Sequence, residues 1–270
     1  MTTKEFVDKI ERSAVAYPES VFTGKGKVYT CVNPYSYHIV KRNETLYAEL
    51  DGLFVDGMTM CWWIRLLWQR RIPRLSFDMA GMAVDLFARL NGDILPAVAD
   101  MKAPRSHVDS GSMSKDTPTT DSLSDETIYF IGAKQDEIEA TIRQIRHSYP
   151  KMKIAGYRNG YFSTEAERRA AISEIIELNP SFVIVGMGSP LQERFVIDLR
   201  DSGFKGIAFT CGGFLHQTAD RMHYYPQWVN RLNLRAFYRL FHEKGMVARL
   251  WQVLVAFPLR FTLDSLRSPR

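Results

Sequence analysis

Short apolar runs recur along the chain, and segments with apolar residues at helical spacing lie between them. Most of these runs are apolar throughout and do not alternate with polar residues, which is the pattern of strands covered on both faces. The runs that predict strands are Val28–Val32, Leu53–Val55, Ile128–Ile131, Phe182–Val185 and Ile207–Thr210, with Ile154–Ala155 as a weaker sixth.

The intervening segments predict helices. Ser163 or Thr164 precedes early carboxylates, which is typical of a helix that begins with a capping box. The alternation of strands and helices predicts an α/β fold, with a parallel sheet covered by helices on both faces. The clearest helical segments are Tyr35–Leu50, Thr59–Gln69, Met79–Leu90, Lys134–His147 and Thr164–Leu178.

Two segments depart from this alternation. Residues 96–126 contain no aromatic residue and are rich in Ser, Thr, Asp and Pro. They bury too little apolar surface to offset the entropy of ordering, so we expect a flexible insertion. Residues 231–270 mix aromatic and basic residues at helical spacing, which predicts an amphipathic helical appendage. The main domain is then expected at residues 1–230.

The basic charge of the chain is concentrated in that appendage. Residues 231–270 carry eight Lys or Arg and two acidic residues, a net charge of +6, whereas the whole chain has +5. Such a segment favours phosphate-bearing partners, namely a nucleotide, a nucleic acid or an anionic lipid. The alternative is a solvated helix face, and the clustering of the arginines with aromatic residues favours binding.

Several classes of protein are not expected from the sequence. No apolar run reaches the roughly 20 residues of a membrane-spanning helix. The charged first residues lack the apolar core of a signal peptide, so a cytoplasmic location is expected. Cys31, Cys61 and Cys211 form no CxxC pair, and the six histidines form no HxxxH motif, so a metal site is not expected.

A glycine-rich turn follows the strand predicted at Phe182–Val185. Gly186-Met187-Gly188-Ser189-Pro190 lacks the third glycine of a dinucleotide fingerprint, because Leu191 occupies that position. The turn leads into a helix that begins near Pro190. Its backbone N–H groups can hold an anion or a nucleotide, and equally the turn can need small residues only for packing. Gln192 and Glu193 lie in the first turn of this helix, where a carboxylate also compensates the helix dipole.

Polar residues and glycines follow the other predicted strands. Asp56 comes directly after Leu53–Val55, where it can act as a general base or cap the next helix. Asn33 closes the first strand and can bind a substrate or shape the turn. Gly212 and Gly213 follow the last predicted strand. Because the carboxyl ends of parallel strands meet at one edge, we expect these positions to converge on one site.

Together these motifs resemble the WecG/TagA/CpsF glycosyltransferases, glycosyltransferase family 26. The resemblance runs from about Val28 to Arg249, interrupted by the insertion. The Gly186–Pro190 turn together with Gln192-Glu193 is its most specific part. The matching pieces are Asn33-Pro34, Val55-Asp56-Gly57-Met58, Ile128–Gly132, Gly160-Tyr161-Phe162, Gly186–Pro190 with Gln192-Glu193, Gly212-Gly213-Phe214, Pro226-Gln227-Trp228 and Tyr238-Arg239-Leu240.

The resemblance implies a Rossmann-like domain that moves a ManNAc-type sugar or a hexose, with inversion, from a UDP-sugar to a polyprenyl-diphosphate-linked saccharide. It implies no essential metal and no cofactor. It makes Asp56 the base, with Asn33 as a second catalytic residue, and gives Arg239 and Arg249 contacts to the diphosphate. The appendage is then expected to dock on the anionic inner face of the cell membrane; a homo-oligomer is left open, and nucleic acid is not an expected partner.

The resemblance also implies the substrate-binding residues. They are Thr30, Cys31, Gly57, Gly132, Gly186, Gly188, Pro190, Gln192, Glu193, Gly212, Gly213, Arg221, Arg239 and Arg249. Three departures stand out. Cys31 occupies a position where the family has Thr, although Thr30 is adjacent. Tyr224-Tyr225-Pro226 replaces Arg-Ala-Pro, with Arg221 as the nearest substitute. Near the end of the matching region, Arg235-Ala236 replaces Glu-Trp, and Lys244 replaces a Pro.

Two other classes of function compete with this interpretation. An oxidoreductase of the NAD type shares the fold class but needs the glycine fingerprint that is missing here. A non-enzymatic protein that binds phosphates or anionic membranes would use the basic appendage and would leave the cluster at the strand ends unexplained.

Overall fold

The computed structural model describes residues 1–93, 123–220 and 250–268, which are built around one six-stranded sheet. Its strands are β1 Lys27–Val32, β2 Gly52–Val55, β3 Thr127–Gly132, β4 Lys153–Arg158, β5 Phe182–Gly186 and β6 Ile207–Thr210. All neighbouring strands pair in parallel, in the order β2-β1-β6-β5-β3-β4. The predicted parallel sheet of a Rossmann-like α/β fold is confirmed, including its weaker sixth strand.

Helices cover both faces of this sheet, as predicted. They are α1 Thr3–Ala16, α2 Glu19–Thr23, α3 Tyr37–Arg42, α4 Glu44–Glu49, α5 Met58–Trp68, α6 Met82–Asn91, α7 Gln135–Ser148, α8 Glu165–Leu178, α9 Leu191–Asp201, α10 Phe214–Asp220 and α11 Phe257–Arg267. One core cluster holds buried residues of α1, α3, α4, α5, α8, α9 and α11. The other holds buried residues of α2, α6, α7 and α10. The sheet therefore lies between two apolar layers, which explains why its strands are apolar throughout.

The helix predicted at Tyr35–Leu50 is wrong in one respect, because two short helices occupy this segment. Asn43 separates α3 from α4 with a non-helical φ of −130° and ψ of 41°. Its side-chain Nδ2 donates to the carbonyl oxygen of Ile39 at 2.9 Å, four residues earlier. A side chain that bonds its own backbone in this way competes with the regular helical pattern.

The last helix packs into the core next to α1 and α5. Phe257 and Phe261 are buried, and their rings lie 5.5 and 5.3 Å from that of Tyr37. Pro258 does not interrupt the helical segment that the structure describes from Leu250 onwards. A π-helical turn, Gln252–Ala256, precedes Pro258 at the first turn of α11, where a missing N–H is tolerated. Residues 257–267 thus share a core with the main domain.

The expectations for the insertion and for part of the appendage concern residues that the structure does not describe. Most of the insertion at 96–126 and all of residues 231–249 lie outside the described residues. Among the helices of the described ranges, none has both the length and the apolar composition needed to cross a bilayer.

Candidate active site

A cavity of about 670 Å³ opens at the carboxyl ends of β1, β2 and β6. Residues that follow four different strands contribute to its wall, as expected for ligand sites of open parallel sheets. Among the positions expected to converge, Asn33, Asp56, Gly188, Gly212 and Gly213 line this cavity, so the convergence is confirmed for them, and Cys31 and Gly57 line it as well.

Asp56 is held in the cavity by its backbone and by an arginine. Its N–H donates to the carbonyl oxygen of Val32 at 2.8 Å, which ties it to the end of β1. Its Oδ1 accepts a hydrogen bond from Nη2 of Arg74 at 2.9 Å. Asp56 does not cap α5, because the cap position is Gly57 and no side chain bonds the helix there. The interpretation of Asp56 as a simple N-cap is therefore wrong.

Arg74 bridges two carboxylates of the cavity wall and was not predicted from the sequence. Its Nη2 lies 2.9 Å from Asp56 and 2.8 Å from Asp78 Oδ2, and its side chain is only 16% exposed. Burial lowers the pKa of Arg74, but the two carboxylates outweigh this effect and raise the pKa above its ordinary value. In the sequence, nothing distinguishes Arg74 from Arg70 and Arg71, which stand in the same segment.

Asn33 shapes the turn after β1 and also faces the cavity. Its Oδ1 accepts from the backbone N–H of Ser36 at 2.8 Å, and its own N–H donates to Ser36 Oγ at 3.0 Å. The predicted turn role is thus confirmed. The Nδ2 group has no hydrogen-bond partner among the described residues, so it can donate to a ligand.

Two thiols line the cavity beside these groups. Burial raises the pKa of Cys211 to about 12. Burial, followed by the Asp56 carboxylate, also raises the pKa of Cys31. Both therefore present neutral thiols at neutral pH. Thr30 does not replace the hydroxyl of the Thr that the family has at the position of Cys31. Successive strand residues face opposite sides of the sheet, and Thr30 Oγ1 donates to Glu193 at 2.8 Å.

Glu193 forms a buried polar cluster beneath the cavity. Its carboxylate is fully buried, and Oε1 accepts from Thr30 Oγ1, from Ser189 Oγ at 2.9 Å and from Gln192 Nε2 at 3.0 Å. Among these four residues only Ser189 lines the cavity. Gln192 and Glu193, expected to bind substrate, are thus placed to hold the Ser189 turn in position, and they do not reach the cavity in this structure.

Gly132 and Gly186 serve close packing between β3 and β5. A Cβ atom added at Gly132 would lie 2.3 Å from the carbonyl oxygen of Gly186, and the φ of Gly132 is +147°. A Cβ atom at Gly186 would meet Leu215 at 2.9 Å and Cys211 at 3.0 Å. Neither glycine lines the cavity, nor does Pro190, which precedes α9. For the turn after β5, the packing interpretation thus holds at Gly186, whereas Gly188 faces the cavity.

The cavity wall also contains residues that were not singled out in the sequence. Polar ones include Ser76, Asp78 and Gln217, and apolar ones include Trp62 and Leu254. No strand-end position marks them, since they lie in a loop or on helices. Arg221, Arg239 and Arg249 lie outside the described residues. Within those residues, no three His, Cys, Asp or Glu side chains are grouped as a metal ion would require.

The parallel sheet carries a carboxylate, an amide and an arginine at its carboxyl edge, where the ligands of such sheets bind. Similarity to known proteins indicates the class of reaction. Residues 117–270 match the model of the glycosyl transferase WecG/TagA/CpsF family. The chain therefore belongs to this family and is a glycosyltransferase. Family membership does not favour either an NAD-type oxidoreductase or a non-enzymatic binding protein.

Relatives with stated activities are similar over most or part of the chain. A UDP-Gal:alpha-D-GlcNAc-diphosphoundecaprenol beta-1,4-galactosyltransferase of Shigella boydii is 29% identical over 88% of this chain and 87% of its own length. N-acetylglucosaminyldiphosphoundecaprenol N-acetyl-beta-D-mannosaminyltransferases are also similar. That of Bacillus subtilis strain 168 is 36% identical over 42% of this chain and 43% of its own length. That of Bacillus spizizenii is 27% identical over 94% of this chain and 85% of its own length.

Proposed function

We propose that this chain transfers a hexose or an N-acetylhexosamine from a UDP-sugar to a saccharide linked to a polyprenyl diphosphate, with inversion. The observation that carries this proposal is the position of Asp56: a carboxylate at the end of a parallel strand, oriented by Arg74 in the wall of the cavity. The relatives act on diphosphoundecaprenol-linked GlcNAc according to their names, which supports the class of acceptor.

In this mechanism Asp56 is the general base. Arg74 occupies Oδ1, which leaves Oδ2 for the hydroxyl of the acceptor sugar. The proton moves to the carboxylate while the acceptor oxygen attacks the anomeric carbon from the face opposite UDP. The bond between that carbon and the diphosphate oxygen breaks, and UDP leaves with the electron pair. Asn33 Nδ2 is placed to donate a hydrogen bond to one of the reacting sugars.

The leaving diphosphate needs positive charge that the described wall does not offer. Among the described lining residues Arg74 is the one Lys or Arg, and Asp56 and Asp78 already pair with it. We therefore propose that arginines contact the diphosphate: Arg239 above all, with Arg249 of the appendage and Arg221, which precedes the appendage. Backbone N–H groups of the Gly188 and Gly212 turns would assist, because preorganised donors stabilise charge that develops as the bond breaks.

The appendage is assigned to an anionic membrane surface at the cytoplasmic face. On α11, Leu259, Leu263 and Leu266 are exposed at 63%, 53% and 72% and lie along one side of the helix. Exposed Arg260 and Arg267 flank them. An apolar stripe beside cations suits the interface of an anionic bilayer. We expect the chain to co-sediment with anionic vesicles but not with neutral vesicles. Failure to co-sediment with either kind of vesicle would contradict this assignment.

The reaction itself is tested by incubating the full chain with a panel of UDP-sugars and a lipid-diphosphate-linked GlcNAc acceptor. Product masses identify the sugar transferred, and we expect one donor to give an acceptor enlarged by one residue. Absence of product and of released UDP with every donor would overturn the proposed reaction.

A further inference from the structure

An apolar line leads away from Asp56 along the exposed side of α5. Met58, Trp62 and Leu66 stand at intervals of four residues, so they share one side of this helix. Met58 follows Asp56 by two residues and lines the cavity with Trp62, and Leu66 continues the line outwards. At 1.5 Å per residue, the line covers about 12 Å.

Apolar side chains from the C-terminal segment flank this line at the cavity mouth. Leu250, Val253 and Leu254 line the same cavity as Trp62. Trp62 is 58% exposed and Leu254 is 51% exposed. Hydrogen bonds between α5 and α11 hold the two segments that carry Trp62 and Leu254 next to each other. Trp63 Nε1 donates to Thr262 Oγ1 at 3.2 Å, and Trp68 Nε1 donates to Ser265 Oγ at 3.0 Å. Two rigidly docked elements thus hold an apolar mouth in front of a polar cavity.

We propose that this mouth binds the first isoprene units of the polyprenyl chain of the acceptor; the inference rests on the proposed function. In such an acceptor the reacting sugar hydroxyl must reach Asp56, the diphosphate follows the sugar, and the hydrocarbon follows the diphosphate. Met58 stands beside Asp56, where the sugar lies, so the exposed Trp62 and Leu254 are the side chains that meet the hydrocarbon, the part of the acceptor that water solvates least favourably.

The continuity between mouth and cavity favours this occupant over a bilayer surface or a protein partner. A chain held by one end at Asp56 must leave through the mouth, whereas an unrelated partner has no reason to begin at the catalytic carboxylate. Exposed Arg65 lies beside Leu66 on α5 and bounds the apolar line on that side.

The test compares two soluble acceptors with the same sugar diphosphate, one bearing an ethyl group and one a farnesyl group. The assay contains neither membrane nor detergent, and the farnesyl acceptor stays below its micelle concentration. For the wild-type chain we expect a lower KM with farnesyl than with ethyl. For Trp62→Ser and Leu254→Ser we expect the farnesyl KM to rise about tenfold more than the ethyl KM, because burying one large apolar side chain accounts for such a factor.

Leu178→Ser is the matched control, since Leu178 is a 46% exposed leucine at the end of α8 and does not line the cavity. It should leave both KM values unchanged, and thermal unfolding checks that all variants are folded. Equal KM changes for both acceptors, or a defect seen only with acceptor embedded in vesicles, would overturn the chain-binding role. Failure of the proposed function looks different, because the wild-type chain would then transfer sugar to neither acceptor.

Discussion

Arg74 donates a hydrogen bond to Asp56 Oδ1 over 2.9 Å, although the two residues stand 18 positions apart in different loops. The same Nη2 atom lies 2.8 Å from Asp78, so one cation orients two carboxylates of the cavity wall. This contact leaves Asp56 Oδ2 as the oxygen that would face the acceptor in the proposed mechanism. Arg74 thus neutralises part of the negative charge of the cavity wall, although it belongs to no sequence motif.

The first prediction concerns the base. Asp56→Asn keeps an oxygen for Arg74 but removes the group that accepts the proton, so kcat should fall by at least about 100-fold. UDP affinity, measured by calorimetry, should change less than about threefold, because Asp56 does not contact the nucleotide in the proposed mechanism. Transfer by Asp56→Asn at the wild-type rate would contradict the base assignment.

A second prediction concerns the bridging cation. Arg74→Gln leaves Asp56 and Asp78 without a shared positive charge. We expect kcat/KM to fall about 100-fold, which corresponds to a loss of about 2.7 kcal/mol of transition-state stabilisation. Arg74→Lys should recover only part of the activity, as a single ammonium lacks the planar fork of arginine.

Arg71→Gln is the control for this series. Arg71 is exposed and stands three residues before Arg74 in the same segment. If its kcat/KM falls as much as that of Arg74→Gln, a general charge effect would explain both variants, and the bridge would have no special role.

The sheet was predictable because its strands are buried on both faces, so their apolar runs stand out against the helices. Helix α1 was not predicted, yet its signal is present: Thr2 accepts from Glu5 N–H and Glu5 accepts from Thr2 N–H, a capping box. Asp56 was found because strand ends converge in a parallel sheet. Arg74 was not, since its position beside Asp56 depends on the conformation of the loop after α5, and the spacing of apolar residues does not predict loop conformations.

The third prediction concerns the buried cluster of Glu193. Glu193→Ala removes the shared acceptor of Thr30, Ser189 and Gln192, while Thr30 keeps Thr210 and Gln192 keeps Ser189 as partners, so the free energy of unfolding should fall by about 2 kcal/mol. Denaturant titration measures this loss. Glu177→Ala, at an exposed position of α8, should change stability by less than about 0.5 kcal/mol. Equal effects of the two substitutions would show that the cluster contributes nothing.

The fourth prediction follows from Tyr37, whose hydroxyl donates to Asp264 at 3.0 Å and joins α3 to α11. Burial, and then the Asp264 carboxylate, raise the pKa of Tyr37 above its ordinary value. The folded state thus keeps a proton that the unfolded chain loses above about pH 10, so stability must fall as pH rises through that range.

Tyr37→Phe should lessen the loss of stability between pH 8 and pH 10.5 by up to about 0.8 kcal/mol. Denaturant titration at both pH values measures this, with Tyr161→Phe, at a ring that is 65% exposed, as the control. An unchanged pH dependence in Tyr37→Phe would exclude Tyr37 as a source of alkaline destabilisation.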